Sequence, residues 1–87
     1  MVTGATLYKA RVFDSPEKLT LVQDTLLRVL AEFGWRVQAW AVLANHYHVV
    51  GFCPVPEKLG AAVAKVHGVT AREVNRLDGI TGRKVWY

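Results

Sequence analysis

Ala44-Asn45-His46-Tyr47-His48-Val49-Val50-Gly51-Phe52, or ANHYHVVGF, is the stretch that decides how this chain folds. Two histidines flank one large apolar residue, and two valines follow, a composition suited to a strand. Side chains alternate faces along a strand, so His46 and His48 project together, about 7 Å apart at Cα. Tyr47 and Val49 project to the opposite face. Two imidazoles placed this way can share one divalent metal, with a carboxylate, an amide or water completing the shell. The same spacing also arises on a strand whose polar face is only solvated. Spacing alone leaves both readings open.

Upstream, Arg36–Leu43 reads as a second strand. Val37, Ala39, Ala41 and Leu43 form one face; Arg36, Gln38, Trp40 and Val42 form the other. Ala44-Asn45 is short enough to close a hairpin, and Asn is a natural turn residue. Asn45 either shapes that turn or orients a ligand. If Trp40 shares the open face with the histidines, its ring either stacks on a nucleobase or is covered by a later segment.

Farther upstream, Thr6–Phe13 reads as the first strand. Tyr8, Ala10 and Val12 form its core face, and Lys9 and Arg11 lie on the open face. Asp14-Ser15-Pro16-Glu17 is a helix start: Ser15 suits the N-cap, Pro16 the first helical position, and Glu17 the positive end of the dipole. Leu19, Val22, Leu26, Leu30 and Phe33 recur at threes and fours and give helix one a buried stripe. Gly34 stops it.

Downstream, Cys53-Pro54-Val55-Pro56 ends the strand, because proline cannot donate to a ladder. A second helix opens at Pro56 and runs to Val66 with Leu59, Ala62, Val63 and Val66 inward. Gly68 interrupts or bends it. Thr70 re-caps it with Glu73 at the capping-box position, and Ala71–Leu77 continues. Asp78–Gly82 is a turn, and Arg83–Tyr87 begins a last strand. The order β-α-β-β-α-β implies an α+β sandwich of the ferredoxin-like type, with both helices on one face of an antiparallel sheet. The histidines take the other face.

Eighty-seven residues make one small domain. No run of eighteen apolar residues exists, so no transmembrane helix is expected, and MVTGATLYK lacks the features of a signal peptide. The single Cys53 cannot form an internal disulfide, which fits a cytoplasmic setting. The net charge is +4; from Phe52 onward six Lys/Arg face three Asp/Glu, a net of +3. This bias suits a polyanionic partner. Lys65, Arg72 and Arg76 on the second helix, with Lys9 and Arg11, are candidate phosphate contacts or else members of solvated faces.

The ANHYHVV run resembles the HUH motif (His, hydrophobic, His) of single-tyrosine HUH transposases, above all their REP-associated branch, where an Asn commonly precedes the first His. Two further segments are similar in order and spacing. Lys65–Asn75 looks like the family's Lys–Thr–Ala…Asn helix, and Lys84-Val85-Trp86 like its short strand ending in Val-Trp. The resemblance implies cleavage and rejoining of single-stranded or hairpin DNA through a 5′-phosphotyrosine. It implies that His46 and His48 hold magnesium or manganese, and that the protein works as a homodimer. It also implies a nucleophilic tyrosine on a helix after the last strand, together with a third metal ligand. Tyr87 follows the Val-Trp position and does not match the nucleophile's place, and Tyr8 and Tyr47 fit core positions. The expectation is therefore a single domain over residues 1–87, cut short before the nucleophile helix and inactive alone.

Three other classes compete. A non-catalytic nucleic-acid-binding module of ferredoxin-like fold would show aromatic pairs on its sheet, and no such pattern is evident. A structural zinc domain would need four ligands, and Cys53, His46, His48 and His67 stand at no familiar spacing. A hydrolase built on His-x-His would need a second histidine motif, and the chain has none.

Overall fold

A computed structural model describes residues 2–87. The chain runs through β1 (Val2–Ala5), α1 (Pro16–Glu32), β2 (Arg36–Val42), β3 (His46–Phe52) and α2 (Leu59–Asp78), with short 3-10 turns at Leu7–Lys9 and Pro56–Lys58. The strands form one antiparallel sheet in the order β1-β3-β2. The fold is α+β, with two helices and three strands among the described residues.

β3 lies at the centre of the sheet, and its alternation sets the core. Tyr47 and Val49 are fully buried and cluster with Val22, Leu26, Val29 and Leu30 of α1 and with Ala62, Val66 and Val74 of α2. Both helices therefore cover the Tyr47 face. Each fully buried Val or Leu contributes about 1.5–3 kcal/mol of transfer free energy.

α1 forms where its local signals place it. The Ser15 hydroxyl accepts from the Lys18 amide at 3.3 Å, Pro16 opens the helix, and Glu17 sits in the first turn. Val22, Leu26 and Leu30 are buried, and Leu19 and Phe33 pack at the cluster's edge. Gly34 takes a left-handed φ of 82° just after the helix ends. The Lys18 ammonium lies 2.7 Å from Asp78 and 3.2 Å from Asp14, tying the start of α1 to the end of α2. Its hydrogen bond, and then that of Arg83, hold the Asp78 carboxyl below the ordinary carboxylate range.

Four expectations from the sequence are corrected. The first strand is Val2–Ala5, not Thr6–Phe13. Tyr8 and Lys9 adopt left-handed φ values of 55° and 54°, which no strand accommodates. Tyr8 is 90% exposed rather than turned into the core, and Lys9 and Arg11 are not on an open strand face. Phe13 alone of the segment's end is fully buried, stacked on Trp86 at 5.2 Å.

The second correction concerns β2. A bulge between Val37 and Ala39 shifts its register. Val37 pairs with Gly51, but beyond the bulge Ala39 pairs with Val50, Trp40 with Val49 and Ala41 with His48. Cross-strand partners share a face. Trp40 therefore belongs to the Tyr47 side, and Ala39 and Ala41 belong to the histidine side. The extra residue, Gln38, inverts the alternation read from the sequence.

Third, α2 is unbroken through Gly68 and needs no new cap at Thr70. The Thr70 hydroxyl donates back to the Val66 carbonyl at 2.7 Å. Fourth, the last segment is not a strand. It makes a single antiparallel bridge, Thr6 to Trp86, supported by bonds from Leu7 N to Val85 O (2.8 Å) and from Tyr87 N to Ala5 O (3.0 Å). The sheet thus has three strands rather than four, and the end of the chain leans on the residues that leave β1.

Candidate metal centre

His46 and His48 stand on the sheet face opposite Tyr47 and Val49, away from both helices. Their ring centroids are 5.0 Å apart and their planes are 80° apart. β1 supplies the neighbour on one side: its register pairs Thr3 with His48 and Ala5 with His46. The Thr3 hydroxyl lies 3.0 Å from His48 Nδ1, and Asn45 Oδ1 lies 2.7 Å from His46 Nδ1. Asn45 also donates through Nδ2 to the Lys9 carbonyl at 3.2 Å. Both Nδ1 atoms are thus engaged. Neither Nε2 has a hydrogen-bond partner among the described residues.

The two rings open into a cavity of about 430 Å³ lined by Thr3, Ala5, Lys9, Asn45, His46 and His48. Two free imidazole nitrogens suit an open coordination site completed by water or by a ligand's oxygens. Among the described residues no group of three or more His, Cys, Asp or Glu is arranged to hold a metal. The residues therefore fit a two-ligand site and not a closed four-ligand zinc site.

Lys9 is the one candidate phosphate contact at this cavity. Ala5 and Lys9 also line an adjoining apolar hollow with Thr6, Tyr8 and Tyr87. Tyr87 is 89% exposed there. Neither tyrosine lines the histidine cavity itself. Arg11 is exposed in the segment between the 3-10 turn and α1. The remaining basic candidates lie on α2, in the helical layer. Lys65 pairs with Glu32 at 2.8 Å, Arg76 with Glu73 at 2.9 Å, and Arg72 stands 4.0 Å from Glu73. These three are not brought to the histidines. A separate cleft of about 460 Å³ between α1 and α2 is lined by charges of both signs, Asp24 and Glu73 with Arg28 and Arg72.

Beneath the histidines runs an aromatic chain in which Tyr47 and Trp86 are buried and His67 is half-buried. The Tyr47 hydroxyl lies 2.8 Å from His67 Nε2. The His67 ring stacks on Trp86 at 4.4 Å with planes 10° apart. The Trp86 indole N–H donates to the Thr70 hydroxyl at 2.9 Å. Burial pushes the Tyr47 phenol up to about 12 and the His67 imidazole down from its ordinary value. Gly4 faces the Tyr47 ring so closely that any Cβ there would overlap it. Tyr47 is fully buried on the face away from the histidine cavity, where it anchors the strand that carries the two histidines.

Sequence reasoning missed Thr3 and the partner of His67. Thr3 has no signal of its own, because the sequence pattern starts the first strand downstream of it. His67 pairs with Tyr47 across twenty residues, with no local signal. No family model, no curated protein and no solved structure matches the chain.

Proposed function

We propose that this chain is a transposase-like domain that binds single-stranded or hairpin DNA and holds magnesium or manganese through His46 and His48. The observation that carries this reading is the pair of histidines with both Nδ1 atoms occupied and both Nε2 atoms free over one cavity that Lys9 also lines. The resemblance of ANHYHVV to the HUH motif supports it. So does the path of the chain, in which β3 lies between β1 and β2 and the end of the chain bridges to Thr6, the strand order of a ferredoxin-like sheet with its fourth strand reduced.

A divalent ion at such a site neutralises charge that builds on phosphoryl oxygens during transesterification. The chain's own residues do the rest. His46 and His48 orient from a central strand anchored by Tyr47. Lys9 presents an ammonium toward an anionic backbone. The basic balance of the chain favours a polyanion. Its setting on this reading is the cytoplasm, with Cys53 as a free thiol. Among the described residues no helix is long and apolar enough to cross a membrane. Val50 and Phe52, exposed on the histidine face beside the edge strand β2, support a homodimer that covers them.

Cleavage requires a nucleophile in line with the phosphate, and among the described residues no tyrosine lines the histidine cavity. The 87-residue chain is expected to bind DNA without forming a covalent adduct. The deciding experiment is calorimetric titration with manganese of the wild type, His46→Ala and His48→Ala. Weak binding that either substitution abolishes is the expected result. Equal heats from all three proteins would end the metal reading, and salt-sensitive binding of single-stranded DNA without metal would then favour a non-catalytic nucleic-acid-binding module.

A further inference from the structure

The hydrogen bonds around His46 determine its chemistry as well as its position. We propose that Asn45 is a positioning residue that holds His46 in its Nδ1-protonated tautomer, so that Nε2 carries the ring's one available lone pair. The Lys9 carbonyl makes that tautomer obligatory. The purpose of this device rests on the metal reading above, but its existence can be measured without any metal.

Asn45 Nδ2 lies 3.2 Å from the Lys9 carbonyl oxygen. A carbonyl can only accept, so this end of the amide must be the NH2 group. The other end, Oδ1, then lies 2.7 Å from His46 Nδ1. An amide oxygen also only accepts, so Nδ1 must carry the proton. A neutral imidazole has one N–H, which leaves Nε2 bare. Flipping the amide would set two oxygens against each other at Lys9 and forfeit that bond.

His48 is under no such constraint. Its Nδ1 partner is the Thr3 hydroxyl at 3.0 Å, which donates or accepts equally well. The protein sets the tautomer of His46, whereas that of His48 follows whatever meets its other nitrogen. Metal-bound histidines commonly donate their far N–H to a fixed acceptor, which orients the ring and raises its basicity.

The backbone shows how firmly the acceptor chain is held. Tyr8 (φ 55°, ψ 23°) and Lys9 (φ 54°) are consecutive left-handed residues, neither of them Gly, Asn or Asp. Such conformations persist where surrounding structure over-determines them. Here the Thr6 hydroxyl donates to the Ala10 carbonyl at 2.7 Å, Lys9 N donates to Thr6 O at 3.0 Å, and Thr6 N donates to Asn45 O at 3.0 Å. The turn thus grips Asn45 twice, by its main-chain carbonyl and by its side-chain amide. The left-handed pair delivers the Lys9 carbonyl to the Asn45 amide.

The test is a long-range proton–nitrogen correlation spectrum of the 15N-labelled, metal-free protein at a pH above the ordinary imidazole range. His46 is expected to show the Nδ1–H signature; an Nε2–H signature in the wild type would overturn the proposal. In Asn45→Ala the ring is expected to shift toward the Nε2–H form that free imidazole side chains favour, and an unchanged Nδ1–H signature would also overturn it. If Asn45→Ala does not fold, Asn45→Asp replaces it. The carboxylate still accepts from Nδ1, so retained Nδ1–H supports the proposal and Nε2–H overturns it. Manganese titration of the same samples separates the two readings. An affinity at least about tenfold weaker in Asn45→Ala is expected. Nδ1–H in a wild type that binds no manganese supports the lock while defeating the metal reading.

Discussion

The hydroxyl of Tyr47 and Nε2 of His67 lie 2.8 Å apart, joining the inner face of β3 to the middle of α2. Burial lowers the His67 pKa from 6.5. A group whose folded pKa is depressed adds stability that is full above the unfolded value and is lost as pH falls toward and through the folded one. Urea unfolding should therefore show a lower midpoint at about pH 5.5 than at about pH 7.5, with a smaller difference in His67→Gln. An equal pH response in both proteins would contradict the assignment.

Thr70 is buried in the middle of α2, where its oxygen accepts from the Trp86 indole. Thr70→Val keeps the shape and strands that N–H. The expected loss is about 1–3 kcal/mol by chemical denaturation. Thr70→Ser, which keeps the oxygen, should lose less than Thr70→Val. No loss in Thr70→Val beside a clear loss in Thr70→Ser would show that the methyl group, not the hydrogen bond, matters.

DNA binding should weaken steeply with salt, because neutralised phosphates release counterions. Lys9 lines the histidine cavity, whereas Lys65 is on the helical layer and paired with Glu32. Lys9→Ala should lower the log–log salt slope for a single-stranded oligonucleotide by about one. Lys65→Ala should leave it unchanged. A larger effect at Lys65 would move the binding face to the helices.

β2 is an edge strand, and Phe52 is 62% exposed at the end of its partner β3. Sedimentation velocity should find a dimer that Phe52→Glu dissociates, because burying the new carboxylate against apolar surface is costly. A monomer in the wild type at micromolar concentration would remove the homodimer from the functional reading.

The parts of this fold legible in the sequence are those fixed by near neighbours. α1 announces itself through Ser15, Pro16 and a stripe at threes and fours, and β3 through its period of two. The position of β1 is not legible, because the left-handed turn at Tyr8-Lys9 carries no glycine or asparagine to mark it. What holds it is distant in sequence: Asn45 and the bridge to Trp86. The bulge at Gln38 likewise has no local signature, since only pairing with β3 reveals that the count is off by one. Gly68 suggests a break, yet Val66, Thr70 and Val74 are buried on either side of it, and their packing carries the helix through. At the site, the histidine pair was visible because two residues on one strand suffice to make it. The Thr3 contact was not, because it depends on the register between strands.

The close approach of Gly4 to Tyr47 makes these two positions a single unit of inheritance. A side chain at position 4 has no room while a tyrosine ring occupies position 47. Substitution must begin at Tyr47, which stands between two histidines and holds their strand in register through His67. Drift in the first strand is therefore gated by a residue forty-three positions away. Any lineage that keeps the histidine pair and its anchoring tyrosine must keep the glycine as well, although the glycine itself offers no chemistry to select.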